Sequence, residues 1–247
     1  MRLRQGIAAA VLLIAVALIV TAPAALLERL LPEVAPVRLT GCSGTLLGSG
    51  SCRILLQAKP GWMHAGVVAY AWRVEPDKGL QLALVHDGRS AGTLQPRPSG
   101  WTARDIDLRL PAGAPDLLPR GLNLDWQSTS SQVATRPLLS CGWRGSGCQG
   151  RVHIEVRDLT VAQAGRSPVG SYALDLDFSE DGRLGGALAT LAGPVGIDGK
   201  IEKSPAAGPR ISGRIKLGEG ASDELRRLLD NIARRENSDT YLSSYPQ

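Results

Sequence analysis

The sequence contains few aromatic residues and very few histidines. Aromatic side chains make up 4% of its 247 residues, phenylalanine occurs once and histidine three times. A hydrophobic core must therefore be built from leucine, valine, isoleucine and alanine, and chemistry based on histidine is disfavoured. The formal net charge is +5. The basic residues are dispersed among acidic ones, so the chain has no basic stripe of the kind that binds nucleic acid.

Turn-forming residues are abundant, with 29 glycines and 16 prolines, which indicates many short elements rather than a helical bundle. Polar and apolar residues alternate in several segments, and this pattern predicts half-buried strands of an antiparallel sheet. The segments are residues 104–110, 122–126, 152–156, 172–178 and 211–217. The predicted fold class is mainly β: a single N-terminal transmembrane helix, an antiparallel β-sheet domain of two similar halves, and one C-terminal amphipathic helix.

The N-terminus has the pattern of a membrane anchor. Arg2 and Arg4 precede residues 7–27, which carry no charge. At about 1.5 Å per residue, such a helix spans a hydrocarbon core of roughly 30 Å. Basic flanks stay on the cytoplasmic side. The sequence therefore predicts a cytoplasmic start (1–6), an inner-membrane anchor (7–27), a linker (28–36) and a periplasmic body.

A cleaved signal peptide is the alternative, because Ala22, Pro23 and Ala24 form a small-x-small pattern. Pro23 inside that motif, and the apolar Leu26 and Leu27 after it, favour an uncleaved anchor. Both interpretations export the body of the protein.

Four cysteines fit an oxidising compartment. An even number at short spacings predicts disulfides, and local pairing of Cys42 with Cys52 and of Cys141 with Cys148 is favoured among three possible connectivities. Metal binding is the alternative. Neither pair has zinc-site spacing, no histidine lies beside them, and C-x-x-C is absent, which disfavours metal binding and redox catalysis.

Two similar halves, residues 37–135 and 136–235, are predicted from features that recur in order. Each half starts with a Cys–Gly-rich–Cys turn followed by a strand, and residues 70–74 correspond to residues 172–176. Several features recurring at a long period indicate a duplication. Chance similarity among glycine-rich β sequences is the alternative.

The C-terminal helix is predicted from its cap and its apolar face. Ser222 can cap it, and one face carries Leu225, Leu228, Leu229 and Ile232. The helix is expected to end near Arg235, and the polar tail 236–247 is expected to be mobile. Four arginines assigned to this helix are docking candidates for an acidic partner or anionic lipid, with a solvated helix face as the alternative. They are Arg226, Arg227, Arg234 and Arg235.

No catalytic, cofactor-binding or metal site is predicted. Gly145, Gly147 and Gly150 match G-x-G-x-x-G, but a predicted strand follows instead of the helix that a dinucleotide site needs.

Two aspartate pairs, Asp105 with Asp107 and Asp175 with Asp177, are each expected on one strand face. Such pairs serve glycosidases or bind calcium, but here the alternation favours a solvated face. His86 and His153 are expected at the surface.

The start of the exported part resembles the type II secretion system protein N family. The resemblance rests on the anchor and on a motif that contains Gly41, Ser43, Gly44, Thr45, Leu46 and Gly48. A tryptophan-containing strand at residues 70–72 also fits the family. The chain has Leu47 where the family usually has tryptophan, and both cysteine pairs lie outside the pattern, so it resembles a divergent member.

This resemblance implies a non-enzymatic accessory subunit of the inner-membrane machinery that exports folded proteins across the outer membrane. Implied partners are the secretin, the pseudopilins or the inner-membrane platform. Kinship with AsmA-like envelope proteins is also implied. Lipid binding or transfer, with phospholipid as the ligand, is the alternative function, because strands with one apolar face are accompanied by little helix to cover them.

Overall fold

In the computed structural model, the described residues are 21–30, 37–58, 61–110, 126–143, 147–162, 167–204, 210–219 and 221–245. The chain divides into two compact units, residues 1–91 and residues 92–247. The division falls inside a strand. The predicted duplication into 37–135 and 136–235 concerns sequence similarity and stays a prediction.

The first unit contains a short 3₁₀ helix, a short α-helix and an antiparallel meander of four strands. The elements are Ala24–Leu26 (3₁₀), α1 (Leu27–Leu30), β1 (Val37–Gly44), β2 (Ser49–Ala58), β3 (Gly61–Glu75) and β4 (Gly79–His86). Strand β5 (Arg89–Arg97) contains the division between the units. Asp87 and Gly88 precede β5 with positive φ of 48° and 78°, as a two-residue hairpin turn of type I′ requires.

The second unit is also antiparallel. After β5, its elements are β6 (Gly100–Arg104), β7 (Asp107–Leu110), β8 (Trp126–Gln127), β9 (Ser130–Gly142), β10 (Gln149–Val161), β11 (Gly170–Phe178), β12 (Leu184–Ala192), β13 (Val195–Lys203), β14 (Arg210–Leu217), α2 (Asp223–Ile232), β15 (Arg234–Arg235) and β16 (Thr240–Tyr245). The strand order is β6-β9-β10-β11-β12-β13-β14-β16-β15, with β7 paired to β9 and β8 to β10.

The core of the second unit lies where α2 covers one end of the sheet. Leu225 and Leu229 of α2 are buried against strand residues from β10 to β16. The Ser222 hydroxyl caps the helix by accepting the Leu225 N–H at 3.2 Å. The predicted cap is thus confirmed, and so is the apolar face at Leu225, Leu228 and Leu229, because the i, i+3 and i, i+4 spacings place these leucines on one side. The buried cluster consists of Val161, Val169, Tyr172, Val195, Leu217, Leu225, Leu229 and Tyr241.

The predicted mobile tail is wrong for residues 240–245. These residues form β16, which pairs with β14 on one side and with β15 on the other. Tyr241 is fully buried, with 0% of its surface exposed. The helix also ends at Ile232, so Arg234 and Arg235 belong to β15 rather than to the helix.

Three predicted strands are confirmed within β10, β11 and β14. Segment 104–110 is interrupted, because β6 ends at Arg104 and Asp105 adopts a positive φ of 51°. Glycine is needed opposite this break: a Cβ on Gly92 would lie 2.6 Å from the Arg104 carbonyl oxygen. Of segment 122–126, only Trp126 lies within the described residues.

The predicted anchor is described only in part. Residues 1–20 lie outside the described residues, and residues 21–27 form a turn, the 3₁₀ helix and the start of α1. In the part of the chain that the structure describes, no helix has the length and apolar character needed to cross a membrane.

Candidate functional site

The N-terminal segment is attached to the motif turn, which we define as residues 45–48 between β1 and β2. The Leu46 N–H donates to the Ala22 carbonyl at 2.8 Å. Pro23 pairs with Thr45 in an antiparallel bridge. Ala24, the next residue, is completely buried, with 0% exposure. Because backbone groups on both sides are bonded, the segment that follows the apolar run is part of the folded first unit.

Two aromatic side chains hold the motif turn from the sheet side. The Tyr70 hydroxyl donates to the Thr45 carbonyl at 3.1 Å, and the Trp72 indole N–H donates to the Leu46 carbonyl at 3.0 Å. The Trp72 backbone N–H also donates to the Gly48 carbonyl at 3.0 Å. The turn thus joins the N-terminal segment to β3.

The backbone beside the motif turn requires glycine at two positions of the motif. Gly44 has a positive φ of 92°, and a Cβ there would lie 2.2 Å from the Ser49 carbonyl oxygen. Gly41 also has a positive φ, 59°, within the bulge where the β1–β2 register shifts. Ser43 and Ser51 share a hydrogen bond between hydroxyls at 3.1 Å. The motif is therefore structural, since it shapes one turn and one bulge.

Near the bulge, a side chain of α1 contacts the outer edge of β1. The Cys42 N–H donates to a Glu28 carboxylate oxygen at 2.8 Å, so α1 satisfies a backbone group that an edge strand otherwise exposes. Sequence reasoning did not find Glu28, Tyr70 or Trp72 as parts of this junction. Trp72 lies in the strand that carried the resemblance, but Glu28 gives no local signal.

Both predicted disulfides are confirmed. Cys42 pairs with Cys52, and Cys141 pairs with Cys148. The first links β1 to β2, and the second links the end of β9 to the residue before β10. Among the described residues, no group of three or more histidine, cysteine, aspartate or glutamate side chains could hold a metal ion.

The four candidate docking arginines do not form one cluster with one role. Arg226 donates to Asp239 at 2.9 Å, and this hydrogen bond raises the pKa of Arg226. Arg235 lies 3.7 Å from an Asp230 carboxylate oxygen, with its guanidinium 5.6 Å from the centre of the Tyr241 ring. These two arginines therefore pair with carboxylates of the C-terminal segment.

Arg227 and Arg234 are exposed. Arg234 makes no ion pair with any residue that the structure describes. Of the four arginines, these two are therefore the better candidates for contact with a partner.

Of the two aspartate pairs, one differs from its predicted arrangement and one agrees with it. Asp105 and Asp107 do not share a strand face, because Asp105 lies in the break between β6 and β7. Asp175 and Asp177 do share a face of β11, where Asp177 pairs with Arg151 and Asp175 with His153.

The predicted surface positions of the histidines are wrong, because His86 and His153 are both buried. His86 donates from Nε2 to the Ala65 carbonyl at 2.9 Å. The two nitrogens of His153 lie 2.6 Å from an Asp175 oxygen and 3.1 Å from a Glu155 oxygen. Carboxylates only accept, so both bonds form fully when the ring carries both protons. The hydrogen bond from His153 lowers the pKa of Glu155.

Tyr172 gives a testable pH dependence. Burial raises its pKa from 10.0 to about 12, and its hydroxyl lies 3.2 Å from the Val169 carbonyl oxygen and 3.1 Å from that of Val195. The protonated Tyr172 hydroxyl stabilises the fold through these hydrogen bonds. Because its folded-state pKa is raised, this stabilisation is fully present below about pH 10 and is lost as the pH rises towards 12. We expect Tyr172→Phe to remove the late tyrosinate step in an absorbance titration at alkaline pH. A Tyr172 that ionises near 10 would contradict its buried position.

An open groove of about 590 Å³ lies beside the second disulfide. Its lining includes Arg97, Arg104 and Glu180, and the hydroxyls of Thr102 and Ser140 are bonded to each other at 3.0 Å. No histidine or free thiol is among its described lining residues.

One face of the second sheet carries aligned apolar residues. Cross-strand pairing aligns Val152 with Leu176 and, through Gly186, with Ile201 and Ile211. These positions are half-buried, whereas α2 covers the other end of the sheet.

The fold and these contacts define a mainly β protein with a structured N-terminal junction. The family model for the type II secretion system (T2SS) protein N matches residues 56–243. The match covers more than half of the chain, and the chain belongs to the type II secretion system protein N family. It starts after the motif turn and includes the Trp72 strand. No curated protein and no solved structure gives a significant match.

Proposed function

We propose that this protein is a non-enzymatic inner-membrane accessory component of the type II secretion system, acting through contacts of its periplasmic β domain. The family match carries this proposal. It is further supported by the junction between the N-terminal segment and the motif turn.

The contacts of the junction favour an uncleaved anchor. Cleavage after Ala24 would remove Ala22 and Pro23, which pair with the motif turn. We therefore propose that the N-terminus is cytoplasmic and that the anchor holds the domain at the periplasmic side of the inner membrane.

The proposed docking surface is the C-terminal edge, which we define as β15, β16 and the exposed Arg227. Strand β15 pairs with β16 only at Leu242 and Tyr241. The backbone of residues 243–245 therefore has no strand on its outer side within the described part of the chain. Unpaired strand edges accept a strand from a partner. The candidate partners are the secretin, the pseudopilins and the inner-membrane platform.

Site-specific photo-crosslinking tests this surface in cells. Leu242 and Arg234, each replaced by a photoreactive p-benzoylphenylalanine, are expected to crosslink to type II secretion subunits, because both are exposed on the docking edge. Lys200 is the matched control, since it is exposed in the middle of the same sheet, on β13. Equal adducts at all three positions, or none with secretion subunits, would reject the C-terminal edge.

Lipid binding is the second candidate function, and the half-buried apolar row from Val152 to Ile211 favours it. A concave sheet with such a row can accommodate acyl chains. Lipid analysis of the gently extracted protein tests this function. Stoichiometric phospholipid would support it, and a lipid-free preparation would argue against it.

A further inference from the structure

The exposed apolar side chains of the first unit are unevenly distributed. Six large apolar residues are exposed among its described residues: Leu26, Leu47, Trp62, Val67, Val74 and Leu80. Val74 is the most exposed of them at 78%, followed by Leu80 at 47%, Leu47 at 43% and Leu26 at 42%. These four are considered together below as the apolar end.

The strand topology brings these four residues to one end of the unit. In an antiparallel meander, the β1–β2 turn and the β3–β4 hairpin lie at the same end. Leu47 lies in the motif turn, and Val74 faces Leu80 across the hairpin. Trp72, two residues before Val74 on β3, donates hydrogen bonds to the motif turn from both its backbone N–H and its indole N–H. Leu26 donates its N–H to Pro23, which itself pairs with Thr45.

The chain enters the first unit at this same end. Ala22 contacts Leu46 and Pro23 contacts Thr45, whereas Glu28 reaches back to Cys42. The segment therefore runs along β1 away from the apolar end. The residues before Thr21 form an uncharged apolar run, 7–20. A membrane anchor there would bring the bilayer to the apolar end.

We propose that Leu26, Leu47, Val74 and Leu80 form a surface that rests in the interfacial layer of the membrane. This inference rests on the membrane anchor proposed above and adds a second, non-spanning contact with lipid. Transfer of apolar side chains from water to such a surface lowers the free energy of the system. The charges of the hairpin contribute little net attraction, because Arg73 and Lys78 balance Glu75 and Asp77, and Lys78 is paired with Glu75 at 2.9 Å. The contact is therefore apolar and should change little with ionic strength.

Photo-crosslinking of the full-length protein to lipid in intact membranes tests the proposal. p-Benzoylphenylalanine is placed at Val74 or Leu47, and adducts are identified by mass spectrometry. Val67 is the matched control: it is an exposed valine on the same strand, seven residues from Val74, or about 23 Å away at 3.3 Å per residue. We expect phospholipid adducts at Val74 and Leu47 to be several-fold more abundant than at Val67.

A second variant tests the same surface with the crosslinker kept at Leu47. The exposed V74S/L80S change should reduce lipid adducts at Leu47 several-fold, while the protein stays in the membrane fraction after washing with carbonate. Equal lipid adducts at Val67 and Val74, or protein adducts in place of lipid at Val74, would overturn the membrane-resting surface alone. Recovery of the protein in the soluble fraction would instead overturn the anchor and, with it, this inference.

Discussion

Tyr241→Ala is expected to destabilise the second unit by about 3–5 kcal/mol, the cost typical of truncating a buried aromatic side chain. Tyr241 is fully buried and belongs to the cluster beneath α2. Its hydroxyl also donates to Asp230 at 3.1 Å, so the change removes packing on β14 and a link to α2. Pulse proteolysis in urea on the detergent-extracted protein measures the loss.

Two variants give this prediction its controls. Leu242→Ala changes the adjacent, exposed residue of β16 and should shift stability by no more than about 0.5 kcal/mol. Tyr241→Phe removes only the hydrogen bond to Asp230, for which about 0.5–1.5 kcal/mol is expected. A Tyr241→Ala effect as small as that of Leu242→Ala would show that the C-terminal segment does not pack as described.

Loss of either disulfide has the second largest expected effect. The two bridges close loops with sequence separations of 10 and 7 residues, and the chain-entropy model predicts about 2–3 kcal/mol for each. Cys42→Ser with Cys52→Ser should loosen the first unit next to the motif turn. Cys141→Ser with Cys148→Ser should loosen the β9–β10 connection. Urea unfolding of each double variant, followed by pulse proteolysis, measures the change.

Peptide mapping without reduction checks the same bridges in the native protein. We expect Cys42 joined to Cys52 and Cys141 joined to Cys148 in protein purified from the membrane. Ser51→Ala is a control beside Cys52, since it removes only the hydroxyl contact with Ser43. Free thiols at these positions, together with unchanged stability of the double variants, would contradict both the bridges and an oxidising compartment.

Sequence patterns that depend on neighbouring residues predicted much of the fold. Period-2 alternation identified parts of β10, β11 and β14, because each strand presents one apolar face. The Ser222 cap and the spacing of Leu225 and Leu229 identified α2. Short cysteine spacings within glycine-rich turns identified both disulfides.

Features that depend on distant partners could not be predicted in the same way. Strand β16 forms because Tyr241 enters a core made of β10–β14 and α2, and its short polar sequence gives no sign of those partners. Asp105 interrupts an otherwise regular alternation, where a close approach to Gly92 decides the backbone path. His153 is buried because Asp175 and Glu155 satisfy its nitrogens, although its alternating position predicts exposure.

The candidate site shows the same contrast between features set by neighbouring residues and features set by distant partners. The motif residues were found from their resemblance to a family, yet their partners Ala22, Glu28, Tyr70 and Trp72 became evident only in the fold. The arginine cluster was predicted as one group, but Arg226 and Arg235 pair with Asp239 and Asp230. A helix pattern cannot reveal this, because Asp239 lies after β15 and Arg235 itself belongs to β15 rather than to the helix.

The central claim is that the protein works by contact within the type II secretion machinery. The most direct measurement is gentle extraction of the tagged full-length protein from its native membrane, followed by mass spectrometry of the proteins and lipids that stay bound. We predict that secretin, pseudopilin or platform subunits are recovered, and that they are reduced in the R227E/R234E variant. Stoichiometric phospholipid without any of those subunits would contradict the claim and would make the apolar sheet face the working site.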